Sequence, residues 1–163
     1  MVEGDLLMVA APGVVRVGPP GELLTFENRD GTWTQSTRLT AKYPNAADLY
    51  GGGIMRRGSM LVVGANGDSS GARTVDGDAS RTDAYQSGAA YVYVTTDDGR
   101  SWVPTTYLKA NNPDPGDSFG EYVATNASSI FVSAPLESSS SRVVNGDANN
   151  NNASRSGAVY VFQ

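Results

Sequence analysis

The chain has no cysteine and no histidine. Without cysteine there is no disulfide framework and no thiol chemistry. Without histidine, the commonest general base, the commonest metal ligand and the usual nucleophilic triads are all missing. Positive charge is also in short supply: 12 Lys and Arg stand against 17 Asp and Glu, a formal net charge of −5. The basic residues are scattered, which argues against a nucleic-acid partner, because a nucleic-acid groove needs a basic stripe. No apolar run approaches the ~20 residues of a membrane span. The apolar patch within residues 1–12 follows Glu3 and Asp5 and has no basic stretch before it, so it reads as a strand and not as a signal peptide. Long runs of good helix formers are absent as well. Gly, Ser, Thr, Asn and Asp are abundant instead, which favours many short strands and many turns.

What the chain does have is repetition. Phe119-Gly120 falls on Tyr50-Gly51, a shift of 69 positions, and the register holds without a gap to the last residues. Ala134 lands on Ala65, Gly146-Asp147 on Gly77-Asp78, Ser156-Gly157-Ala158 on Ser87-Gly88-Ala89, and Tyr160-Val161-Phe162 on Tyr91-Val92-Tyr93. Such a period is the signature of a repeat architecture. Three units follow, at about 1–47, 48–116 and 117–163.

The central unit is the most complete. Residues 60–65 are apolar on both faces, which implies cover above and below. Residues 88–94 make a third strand and 102–110 a fourth, joined by the Asp98-Gly99 hairpin; Asp30-Gly31 makes the same turn in the first unit. Pro113 and Pro115 mark the crossing to the next unit. The first unit is expected to begin one strand late and the last to stop after its third strand. Four meandering antiparallel strands per unit describe a propeller blade. The fold class is therefore all-β, a partial β-propeller of about three four-stranded antiparallel blades, the first and last incomplete. A sandwich of about ten strands is the competitor, but it does not explain whole units recurring in register.

Two family resemblances follow from these residues. Asp117-Ser118-Phe119-Gly120, continued by Ile130-Phe131-Val132-Ser133-Ala134-Pro135, resembles the FG-GAP repeat of integrin-like β-propellers, as does Gly157-Ala158-Val159-Tyr160-Val161-Phe162. This implies blades of a secreted or cell-surface propeller, a non-enzymatic module for binding or adhesion, with a protein or carbohydrate ligand at a surface. Residues 95–102, with Asp97, Gly99 and Trp102, are similar to the Asp-box of sialidase-like propellers. In that family the box is structural: Asp97 would accept turn N–H groups and Trp102 would pack between units. The alternative function is thus a fragment of a sialidase-like glycosidase, and a third reading is a structural spacer.

The calcium loop of integrin-type repeats is not carried over, because residues 56–59 and 125–129 lack the carboxylates it requires. A different loop holds Asp76, Asp78 and Asp83, whose oxygens could bind Ca2+, or could instead cap their own turns. Asp48 and Asp117 precede an aromatic residue by two positions and suit backbone capping. Tyr50, Tyr91, Tyr93, Phe119, Tyr160, Phe162, Trp33 and Trp102 recur at repeat positions and are expected in the core or between blades. Asn126-Ala127-Ser128 and Asn152-Ala153-Ser154 fit the glycosylation acceptor pattern. With about 2.4 units against the four to eight blades of a closed propeller, the open ends are expected to need further blades or self-association.

Overall fold

A computed structural model describes residues 1–13, 18–126 and 128–163. These form three separate antiparallel sheets. The first contains β1 (Val2–Glu3), β2 (Leu6–Gly13), β3 (Pro20–Arg29) and β4 (Thr32–Thr40). The second contains β5 (Tyr50–Arg57), β6 (Met60–Ala65), β7 (Ala89–Val94) and β8 (Val103–Leu108). The third contains β9 (Val123–Thr125), β10 (Ile130–Ala134) and β11 (Ala158–Phe162). A 3-10 turn, Ala46–Asp48, leads into the second sheet. Each sheet is a meander, and three such sheets side by side make partial propeller blades. Leu61 pairs with Tyr93 and Val63 with Tyr91 in one sheet, which removes the sandwich reading.

The strands follow the sequence closely. β6 alternates its apolar residues between two cores: Leu61 and Val63 join the cluster against the first sheet, whereas Val62 joins the cluster against the third. Burial on both faces is why the run is continuously apolar. The hairpins use the turn residues expected of them. Asp30 and Gly31 have φ of 51° and 83°, and Asp98 and Gly99 have φ of 59° and 93°. Asp30-Gly31 directly joins the paired residues Arg29 and Thr32, and there two successive positive φ values match the right-handed twist of the flanking strands; Asp98-Gly99 lies within the longer connection from Val94 to Val103.

The repeat is written into the backbone too. Non-glycine residues with positive φ recur at the same spacing: Leu49 and Ser118 (53° and 58°), Asp76 and Asn145 (55° and 56°), Gln86 and Arg155 (53° and 54°). Such conformations are uncommon outside glycine, so paired recurrence shows one local structure built twice.

Neighbouring sheets meet through an aromatic–glycine pair. Phe119 donates its N–H to Ser87 O at 3.0 Å and forms a parallel bridge with Gly88. A Cβ built on Gly88 would lie 2.0 Å from Phe119 O, so only glycine allows the contact. Tyr50 sits over Gly21 in the same way, its carbonyl 2.4 Å from where a Cβ would be. The aromatic rings then anchor the junctions. Tyr50 packs edge-on to Tyr91 at 5.5 Å, and Phe119 edge-on to Tyr160 at 5.3 Å.

Two details differ from the sequence expectation. The first sheet has a strand in its first slot, but it spans only two residues where β5 spans eight. Trp33 is 41 % exposed. Its counterpart Trp102 is buried in the cluster between the first and second sheets.

Tyr50 OH donates to Tyr93 OH at 2.7 Å, and Tyr93 OH donates to Thr40 O at 3.3 Å. In the third unit both positions are phenylalanine, Phe119 and Phe162, so the hydroxyls are present as a pair or not at all. A buried hydroxyl without a partner costs about 1–3 kcal/mol, whereas removing both partners can be nearly neutral. Tyr93→Phe alone should therefore destabilise by about that amount in chemical denaturation, and Tyr50→Phe combined with Tyr93→Phe should recover most of the loss.

Candidate functional site

Two long loops, residues 66–88 and 135–157, project from the same edge of the second and third sheets, and the crossing from β8 to β9 runs between them. The crossing and the second of these loops, with Gln86 of the first, line an open cavity of about 470 Å3. One wall is the crossing, residues 114–118, and the other carries Asn151, Ser154 and Arg155; Gln86, Leu136 and Ser138 complete it. Asn151 Nδ2 donates to Asp114 Oδ2 at 2.9 Å across the opening.

Below this cavity lie buried ionisable groups on equivalent positions of the two units. In the second unit Lys109 and Asp68 are both buried. Lys109 Nζ donates to Ser87 Oγ at 2.9 Å and to Gly88 O, and lies 3.4 Å from Asp68 Oδ1. Tyr107 OH donates to the same carboxylate oxygen at 3.0 Å. Burial pushes the Lys109 ammonium below its ordinary pKa, against the pull of Asp68.

In the third unit the slot of Asp68 is filled by Glu137, which is 1 % exposed. Its oxygens accept N–H groups from Ser138 and Ser139 at 3.0 and 2.9 Å, and Asn112 Nδ2 at 3.0 Å. Tyr160 OH donates to Asn112 Oδ1 at 2.7 Å. Among the described residues no cation pairs with Glu137. Asp117, which lines the cavity, is buried nearby and is pushed up to about 7 by desolvation, with the neighbouring charge of Glu137 adding to the effect. Asp48, its counterpart, is pushed up to about 6 by burial, and there Lys109 offsets part of the rise. Both aspartates cap a backbone turn: Asp48 Oδ2 accepts Asn45 N–H, and Asp117 Oδ2 accepts Asp114 N–H, each at 2.9 Å.

The three carboxylates considered for calcium each have a separate partner. Asp76 Oδ1 accepts Tyr107 N–H at 2.8 Å and ties the loop to β8. Asp78 Oδ1 accepts the N–H and hydroxyl of Ser80 at 2.9 and 2.6 Å. Asp83 pairs with Arg81 and accepts Gly71 N–H at 3.0 Å; the Arg81 hydrogen bond is the main cause of a pKa held down to about 2. As placed, these residues do not form a calcium cage, and among the described residues no three such side chains group as one. The Asn126 acceptor pattern includes Ala127, which lies outside the described residues; Asn152, in the second pattern, is exposed.

In the β7–β8 hairpin, Asp97 Oδ1 accepts Ser101 N–H at 2.9 Å and Thr95 hydroxyl at 2.6 Å, and Oδ2 accepts Ser101 hydroxyl at 2.6 Å. These bonds hold its carboxyl well below the usual range. At the same end, Arg100 and Arg56 reach across to Glu27 and Glu3 of the first sheet, both at 2.7 Å.

Sequence reasoning found the capping aspartates and missed the buried set of Asp68, Lys109, Asn112 and Glu137. A signal was available: a carboxylate recurs at 68 and 137, in the repeat register, next to small polar residues. Comparison with known families matches residues 33–93 to the FG-GAP repeat, from β4 through the third strand of the second sheet. The match covers rather more than a third of the chain and includes the Tyr50-Gly51 junction. Comparison with curated proteins gave no match. No helix among the described residues is long and apolar enough to cross a membrane.

Two measurements test these assignments. Raised carboxyl pKa values mean that between about pH 4 and 7 the folded protein holds more protons than the unfolded chain, so stability falls as pH rises. Acidifying from neutrality towards about pH 5 should raise Tm, with reversal below about pH 4 as the lowered carboxylates Asp83 and Asp97 protonate. Asp117→Asn should flatten this slope and raise Tm near neutrality by about 2–8 °C, as expected of 1–2 kcal/mol in a chain of this size. Calcium titration is the second measurement. Saturable binding that Asp76→Ala and Asp78→Ala remove is what a metal role requires, and an unchanged Tm in excess calcium leaves these residues as turn caps.

Proposed function

We propose that the chain is a non-enzymatic binding and adhesion module, a segment of a larger secreted or cell-surface propeller, and that its ligand sits in the cavity lined by the crossing and the second long loop. The FG-GAP match supports the class of module. The observation that carries the site is the cavity lining: the buried Asp117, with Asp114 beside it and Arg155 and Asn151 on the opposite wall. Perturbed titratable groups in a cleft are a recognised mark of a binding site. An excess of acceptors over donors favours a ligand rich in hydrogen-bond donors, either sugar hydroxyls or a basic side chain of a surface protein. Arg155 and Asn151 supply the donors that orient it.

The glycosidase alternative rests on the β7–β8 hairpin, where every oxygen of Asp97 is engaged in holding the turn. That hairpin offers a likeness of fold and no reacting group.

Binding to immobilised glycans and to basic peptides, measured at about pH 8 and about pH 5.5, tests the reading through protonation of Asp117. Binding to one of the two classes should weaken at the lower pH. Asn151→Ala or Asp114→Asn should weaken it at least tenfold, or about 1.4 kcal/mol. Binding unaffected by both substitutions would move the site elsewhere on the protein.

A further inference from the structure

Lys109 is a buried amine that the repeat itself does not require, since its slot in the first unit is Thr40. It follows directly on β8 and is 2 % exposed. Its Nζ donates to Ser87 Oγ at 2.9 Å and to Gly88 O, and its third bonding position faces Asp68 Oδ1 at 3.4 Å. Asp68 is 4 % exposed, and the same Oδ1 accepts Ser70 N–H at 2.9 Å and Tyr107 O–H at 3.0 Å. Amine and carboxyl are thus fixed side by side in the interior by groups other than each other.

Three features of this arrangement favour a covalent bond over a simple ion pair. Burial disfavours both charges, so passing a proton from the ammonium to the carboxylate costs less here than in water. Once Nζ gives up the proton that points at Asp68, its lone pair points there instead, while Ser87 and Gly88 hold the other two N–H groups. Desolvation of this kind is a general way to make a lysine nucleophilic. The donors from Ser70 and Tyr107 converge on Oδ1, where negative charge develops when an amine attacks Cγ, as donors do in an oxyanion hole. Well-oriented groups within one molecule also react as if at about 10⁵–10⁸ M, which opens to an acid and an amine a step that dilute solution denies them.

We propose that Lys109 and Asp68 are a site of spontaneous cross-linking, in which Nζ condenses with the Asp68 carboxyl to form an amide. One C–N bond forms and the Cγ–Oδ2 bond breaks. Nζ loses two of its three protons, Oδ2 takes both, and one water leaves; no oxidant, reductant or cofactor takes part. Oδ1 stays as the amide oxygen, still held by Ser70 and Tyr107. The product ties the end of β8, the edge strand of the second sheet, to the start of the loop that leaves β6. That end of the strand then cannot detach without breaking a covalent bond.

The test is the intact mass of the purified full chain, its fold verified by circular dichroism, followed through incubation near neutral pH. The expected result is a mass lower by one water, with trypsin leaving residues 58–73 and 101–142 joined in one branched peptide. Lys109→Arg keeps the positive charge and should retain the full mass. Tyr107→Phe keeps the ring in the core and should slow the water loss at least tenfold. A full mass throughout in the unsubstituted folded chain, with Lys109 open to an amine reagent once the chain is unfolded, would overturn the proposal. So would a water loss that persists in Lys109→Arg, or one that trypsin maps to an Asp-Gly step such as Asp76-Gly77, because that product is a succinimide.

Discussion

The structure depends on one close approach: the backbone of an aromatic–glycine pair laid against a glycine of the preceding sheet. At both junctions the distance leaves no room for a Cβ on the receiving residue, Gly21 or Gly88. That contact sets the spacing between sheets. It carries Tyr50 and Phe119 into the two hydrophobic clusters, where each is fully buried. Close packing of this kind tolerates little change in volume, which is why the small residues at 64, 65, 88 and 89 matter as much as the large ones.

The same junctions bring buried charge together. Turns that cap the segments leading into the second and third sheets place Asp48 and Asp117 beside the loop carboxylates Asp68 and Glu137. In the second unit Lys109 is buried with Asp68, and in the third the Asn112 amide donates to Glu137 while the Tyr160 phenol donates to Asn112. A buried charge is costly without a partner, and burial is the main cause of the upward shifts of both Asp48 and Asp117. The cavity opens on Asp117.

Loop length decides where such a cavity can form. Loops 66–88 and 135–157 are long and polar, and Asx-type turns at side chains such as Asp78 and Asp147 help to hold them. Asp76 does more: it fastens its loop to Tyr107 of β8. Carboxylates that read in sequence as a spaced, calcium-like set are thus distributed among separate backbone partners. A list of acidic residues in a flexible-looking loop cannot distinguish the two cases, because both roles use the same oxygen chemistry.

Much of the fold was legible from residues alone. The 69-residue register, the two-sided apolar run of β6 and the Asp-Gly hairpins each have a local cause: strand period, cover on both faces and positive φ. They were enough to specify all-β units of four strands in a meander. The aromatic positions were legible too, with Trp33 as the exception, since local pattern does not report what surrounds a side chain. What the tertiary structure decided was which polar groups meet. Asp68 with Lys109, Asn112 with Glu137 and Tyr160, and Arg100 with Glu27 are separated by 25 to 73 positions in sequence. No periodicity encodes such pairings. They exist because sheets stacked on glycine bring distant loop ends within hydrogen-bonding reach.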